Sequence, residues 1–331
     1  MDYNKGMGEN QALFFKNPLS FSPAVFLVAQ WDMLHYILFP AREIPEVFRM
    51  SDRSRTDLAA EACEQLGPEA LSLPGLTLRR ETLFGAPLLA VEIAAEEAAA
   101  RLGKPCGHYY TLELPERPRR AAEGFEGLAR AVAALIRRCG VPESGDVLVA
   151  ALGNPDITPD ALGPLCAANV LVTRHLKARG GALWRDLASV SLCRPGVLGT
   201  AGVESAAQIE ALCGVVRPAL VIAVDALAGA DCARLCRSIQ VCDSGISPGS
   251  GVCNDRERID RARLGVPVTA VGVPTVADAA SLGGGEELSG LFVTPRDIDS
   301  SVRECARVIA YGIDLALHRG LTVGDLDALV G

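Results

Sequence analysis

Two aspartates stand where apolar runs end. Asp160 lies in Gly153-Asn154-Pro155-Asp156-Ile157-Thr158-Pro159-Asp160, just past the run Val147 to Leu152, and Asp225 closes Leu220-Val221-Ile222-Ala223-Val224. In an open α/β sheet, ligands gather outside the carboxyl ends of the strands, so two carboxylates delivered there are candidates to share a cleft. Two carboxyl groups close together do not both ionise easily, so one keeps a proton and the other acts as a base. Water attack on an amide needs that division, a base to activate water and an acid to protonate the leaving nitrogen. Each aspartate also has a plain structural reading. Asp160 follows Thr158 and Pro159, a cap and first-turn pattern in which a carboxylate complements the helix dipole. Asp225 reads equally as a solvated loop residue at a strand end.

The loop Asp243-Ser244-Gly245-Ile246-Ser247-Pro248-Gly249-Ser250-Gly251 is the second candidate feature. Its glycines let backbone N–H groups approach an oxyanion or a substrate main chain, and an ordinary surface turn has the same composition. Asp243, Gly245, Ser247, Gly249, Ser250 and Gly251 are therefore expected to support substrate or oxyanion. Gly245 to Gly249 also spells GxSxG. A nucleophile elbow is rejected, because the residue after its serine must donate an N–H and Pro248 has none. The four histidines, His35, His108, His175 and His318, fall at no metal-ligand spacing. No metal ligand is assigned and no cofactor is expected.

The elements that must position these residues follow from periodicity. Strands are expected around Leu76 to Arg79, Leu88 to Ile93, His108 to Leu114, Val147 to Leu152, Ala219 to Ala226, Ser238 to Cys242 and Val266 to Val273. Helices are expected over Gly124 to Arg138, Pro159 to Lys177 and Ser205 to Val216, with a last one capped by Thr294, carrying Pro295 in its first turn, and running to about His318. Arg55 to Glu61 opens a further helix, with Thr56 as cap and Asp57 near its positive end. The alternation of the second half implies parallel strands with helices on both faces, an α/β fold.

Composition bounds the rest. The 331 residues are 49% hydrophobic, ample for a core, and the net charge of −8 argues against a nucleic-acid surface. Eleven cysteines occur without a CxxC pair, which reads as reduced thiols filling apolar spaces in a cytosolic protein; Cys232 and Cys236 are a weak metal signal only. Residues 1–50 differ in character from the remainder and hold most of the aromatics. Their apolar run Ala24 to Phe39 is shorter than the ~20 residues a membrane span needs. The segment reads either as an extension ahead of a functional start at Met50 or as a presequence or membrane-surface segment, leaving 51–331 as a single domain. Gly283-Gly284-Gly285 reads as a surface connection.

Several long phrases carry a resemblance: ALGNPDITPDALGPLCAANVLVTRHL (151–176), RPGVLGTAGVES (194–205), RPALVIAVDALA (217–228), CDSGISPGSGV (242–252) and LGVPVTAVGVPTVADA (264–279), with RTDLAAE (55–61) and FVTPRDID (292–299). Over Arg55 to His318 the chain resembles the spore germination protease family, endopeptidases that degrade small acid-soluble spore proteins. The resemblance implies a three-layer α/β/α sandwich around a mostly parallel twisted sheet, similar to hydrogenase-maturation endopeptidases. It also implies a cytoplasmic enzyme of the spore core, made as a zymogen and assembled as a homo-oligomer, usually a tetramer. The family's proposed catalytic aspartates fall on Asp160 and Asp225, and its self-cleavage site falls on the Asp57-Leu58 bond. Because comparable positions of the maturation endopeptidases bind metal, the resemblance leaves open whether a divalent ion or the carboxylates alone activate water. The family loop often carries His where this chain has Ser247, and a longer family segment is reduced here to Ala280 to Leu291.

Overall fold

The computed structural model describes residues 56–116, 118–252, 256–279, 288 and 291–330. Both readings of residues 1–50, and the connection at Gly283 to Gly285, lie outside the described residues.

A nine-stranded sheet organises the chain, in the order β1-β2-β3-β7-β8-β6-β4-β5, with β9 paired to β8. The strands are β1 Leu76–Leu83, β2 Ala86–Ile93, β3 Gly107–Glu113, β4 Asp146–Ala151, β5 Ser189–Cys193, β6 Leu220–Gly229, β7 Ser238–Cys242, β8 Val268–Asp278 and β9 Phe292–Val293. Pairs β4–β5, β4–β6 and β6–β8 are parallel, and the run β1-β2-β3-β7-β8 is antiparallel. Phe84 and Gly85 join β1 to β2 with φ of 49° and 84°, the doubly left-handed turn whose twist matches a two-residue hairpin.

The long helices are α1 Ala59–Leu66, α2 Glu96–Leu102, α3 Phe125–Arg138, α4 Leu162–Ala167, α5 Ser205–Val216, α6 Ile298–Leu317 and α7 Val323–Val330, with single turns between them. Strand alternation divides them into two layers. Leu220, Ile222 and Val224 of β6 pack with α3, α4 and α6, and Val221, Ala223 and Leu227 pack with α1, α2 and α5. The result is a helix–sheet–helix sandwich. Ile298, Val302, Cys305, Ile309 and Ile313 form the buried stripe of α6 that the spacing predicts.

Two expected helices differ. Residues 159–177 do not form one helix; a 3-10 turn Thr158–Asp160, the short α4, and an equally short helix Arg174–Arg179 replace it. Gly163 lies against the Leu152 backbone, where a Cβ would have no room, and the Asn169 amide caps the Leu165 carbonyl at 2.9 Å, ending α4. Thr173 then bonds to Val190 and Ala188 at β5, a strand the periodicity does not reveal. The last long helix begins at Ile298, not at Thr294, because the Thr294 hydroxyl donates to the Thr275 carbonyl of β8 (2.9 Å) and is spent there. The ten described cysteines are free, half of them buried, and burial pushes the Cys63 thiol up to about 11. No helix among the described residues is long and apolar enough to cross a membrane.

Candidate active site

Asp225 lies within β6, on the face that Val221, Ala223 and Leu227 share, and is 4% exposed. Burial raises its proton affinity well above the usual carboxylate range, and the Asp160 carboxylate raises it further; the Ala226 N–H, bonded to Oδ1 at 2.9 Å, opposes, and Asp57 adds to the rise. Asp160 arrives from the neighbouring strand. The Leu152 N–H donates to the Val224 carbonyl (2.8 Å), extending the β4–β6 ladder by one step and bringing the end of β4 alongside Asp225. The chain then turns through Gly153, whose φ is +109° and where a Cβ would run into the Asp160 carbonyl. Asn154 N–H donates to Asp160 Oδ2 at 2.7 Å. Burial nevertheless pushes Asp160 up to about 6, with the Asn154 N–H only partly offsetting it. An ionised Asp160 makes Asp225 hold its proton more firmly. Asp160 thus ends a short turn just past the β4–β6 pairing, and the helix whose dipole its carboxylate is alternatively expected to complement begins only afterwards, at Leu162.

A third carboxylate belongs to the segment entering α1. Asp57 does not stabilise the start of α1 as the local sequence suggests. Its N–H donates to the Ala228 carbonyl (2.8 Å), its Oδ2 accepts from the Ala228 N–H (2.8 Å), and its Oδ1 accepts from the Ser250 hydroxyl (2.7 Å). The Asp57 carbonyl accepts from Gln240 Nε2 (3.1 Å), and Gln240 Oε1 accepts from the Ala59 N–H (2.8 Å). Lys104 Nζ donates to the Thr56 carbonyl (2.8 Å); burial lowers its affinity for a proton, while Asp57 supports the charge. Thr56 Oγ1 accepts the Leu58 N–H (3.0 Å) and donates to Glu61, closing a local turn instead of capping α1. Glu61, 3% exposed, in turn accepts from Ala230 N–H (2.6 Å) and Asp231 N–H (3.1 Å) just past β6. The stretch Thr56 to Leu58, extended at Leu58 and leading into α1, is therefore held against β6 at Ala228 and β7 at Gln240, with the Leu58 side chain wholly buried.

The 243–251 loop divides between two tasks. Ser250 holds Asp57, and Gly251 leaves room for it, since a Cβ there would meet Asp57 Oδ2. Asp243 instead binds the His108 N–H and Nδ1, each at 2.7 Å, and Ser247 Oγ accepts from Arg258 (3.0 Å). Gly245, at φ +79°, permits the close pairing of Ile246 with Ile259, and Gly249, at φ +73°, makes the turn before Ser250. Gln240, Lys104 and Glu61 were not singled out by sequence. A glutamine inside the apolar strand Ser-Ile-Gln-Val-Cys was the available signal, since a polar side chain buried in a strand needs a partner.

A metal ion fits this donor set poorly. Among the described residues no group of three His, Cys, Asp or Glu gathers, and both Asp57 oxygens are already engaged. The residues instead offer a coupled acid pair beside a held peptide, the components of amide hydrolysis.

A model of the germination protease family matches residues 55–288. The germination protease of Caldanaerobacter subterraneus subsp. tengcongensis is 37% identical over 318 residues, covering 83% of this chain and 98% of the relative. That of Clostridium perfringens is 33% identical, covering 82% and 98%. Among solved structures, a nickel–iron hydrogenase maturation protease from Thermococcus kodakarensis matches 53% of this chain and 94% of its own at 18% identity, with a TM-score of 0.30, too low to bear on activity. The chain belongs to the germination protease family and is a peptidase.

Proposed function

We propose that this peptidase degrades small acid-soluble spore proteins during germination, using Asp160 and Asp225 as its acid–base pair, and that it is made as a zymogen cut at Asp57-Leu58. The observation that carries the reading is the carboxyl pair itself: Asp225 within β6, one residue past the end of its pairing with β4, and Asp160 on the turn that follows β4, both with raised proton affinity. Asp160, the weaker proton holder of the two as a unit, ionises first and takes a proton from water. The water oxygen attacks the peptide carbonyl carbon, the proton kept on Asp225 passes to the leaving nitrogen, and the C–N bond breaks. A disordered substrate needs no prior unfolding to lie against β6 and β7 as Asp57 and Leu58 do. The reading also places the enzyme in the cytoplasm of the spore core, as a homo-oligomer.

The test is incubation of a purified small acid-soluble spore protein with the enzyme and with Asp225→Asn, read as peptides by mass. The reading expects cleavage by the first and a loss of at least ~10²-fold in the second. Undiminished cleavage by Asp225→Asn, or none by the parent enzyme, would sink it.

A further inference from the structure

One side chain grips both sides of Leu58. Gln240, on β7 and 6% exposed, accepts the Ala59 N–H on Oε1 (2.8 Å) and donates from Nε2 to the Asp57 carbonyl (3.1 Å). A main-chain N–H can only donate, so the orientation of the amide is fixed and its NH2 must face the carbonyl. The sheet register adds a second relation. Gln240 stands opposite Gly272 of β8 from one side, and Asp225 stands opposite the same Gly272 from the other. Residues in one row of a sheet project from the same face, and these two are separated by two strand spacings, roughly 9.5 Å. Asp57 runs between the same two strands, its carbonyl on β7 at Gln240 and its N–H on β6 at Ala228, three residues past Asp225.

We infer that Gln240 is a catalytic residue of the self-cleavage step, the donor that stabilises the oxyanion formed on the Asp57 carbonyl. The inference rests on the reading that Asp57-Leu58 is the scissile bond. Water adds its oxygen to the Asp57 carbonyl carbon and gives its proton to the ionised member of the carboxyl pair. The carbonyl oxygen becomes an oxyanion against Gln240 Nε2–H. The C–N bond then breaks as the proton held by the pair moves to the Leu58 nitrogen, leaving an Asp57 carboxyl and a Leu58 amino terminus. A donor already 3.1 Å from the ground-state oxygen needs little movement to serve the transition state. The 243–251 loop, expected from sequence to supply this function, supplies instead the Ser250 contact to the Asp57 side chain.

The experiment follows the N-terminus of the full chain by mass over time, in wild type and in Gln240→Glu, with thermal unfolding of each. An ionised glutamate still accepts the Ala59 N–H but has no hydrogen for the carbonyl. Self-cleavage of Gln240→Glu is expected to fall roughly 10²–10³-fold at pH 7, the loss typical of one oxyanion donor. The ratio of variant to wild-type rate should rise as pH is lowered and the glutamate regains a proton, a recovery that a merely structural role does not produce. If Gln240→Glu does not fold, the folded full-length Asp160→Asn chain answers instead: a through-hydrogen-bond NMR coupling between Gln240 Nε2 and the Asp57 carbonyl carbon is expected, and its absence overturns the inference. A wild-type rate in folded Gln240→Glu also overturns it, as does a loss that stays constant with pH. A wild-type N-terminus at some bond other than Asp57-Leu58 removes the underlying reading, and this inference with it.

Discussion

Replacing Asp160 by asparagine should stabilise the protein while disabling it. The folded chain raises this carboxyl from 3.8 to about 6, chiefly by burial. At about 1.4 kcal/mol per pH unit, holding it ionised at pH 7 costs the fold about 3 kcal/mol. Asparagine carries no charge to desolvate, and its carbonyl oxygen can still accept the Asn154 N–H that Oδ2 takes at 2.7 Å. The sign has a pH window. The folded state holds this proton more tightly than the unfolded chain, so the wild type has its full share of stability below 3.8 and loses it as pH rises to about 6. Urea or thermal unfolding of the two proteins, each verified by mass to have the same N-terminus, should therefore differ most at pH 7. There the variant should melt roughly 5–10 °C higher, and the gap should close by about pH 4. A variant no more stable at pH 7, or a gain that persists at pH 4, would refute the argument that burial of a functional carboxylate sets its proton affinity.

Peptide cleavage should decline on the acid side with an apparent pKa near 6, where the pair takes up its second proton and loses its base; a rate flat from pH 7 to 5 would contradict this. Gly153→Ala puts a side chain at φ +109° against the Asp160 carbonyl, so unfolding should show a loss of about 2 kcal/mol or more, and cleavage should fall at least ~10-fold. Glu61→Ala leaves the Ala230 and Asp231 N–H groups without their acceptor and should cost about 2–4 kcal/mol by denaturant unfolding.

Much of this site was legible because strand ends are written locally. The apolar runs before Asp160 and Asp225 name the strands, and parallel pairing sets the end of β4 beside Asp225; the expectation that Asp225 closes its strand fails, because β6 continues beside β8 to Gly229. The expected α/β alternation also holds, with helices on both faces. What local pattern does not carry is the use of partners far away in sequence. Asp57 looks like a helix-dipole residue among its neighbours, yet Ala228, Gln240 and Ser250 hold it, between 171 and 193 positions on. Asp243 and Ser247 look like members of a ligand loop, but His108 and Arg258 engage them. The break after Ala167 was hidden for a related reason. Apolar residues recur through 159–177, and the approach of Gly163 to Leu152, the Asn169 bond to Leu165 and the tie of Thr173 to β5 divide them.

The most direct test of the carboxyl pair is turnover of an acid-soluble spore protein by Asp160→Asn, Asp225→Asn and the double variant, each with and without a chelator. If the two aspartates act as one unit, each single change lowers kcat by about 10²–10⁴-fold, and the double falls no further than the worse single. Chelator then leaves the parent enzyme unchanged. A single variant with full turnover, a double whose losses multiply, or a parent enzyme silenced by chelation would contradict the account.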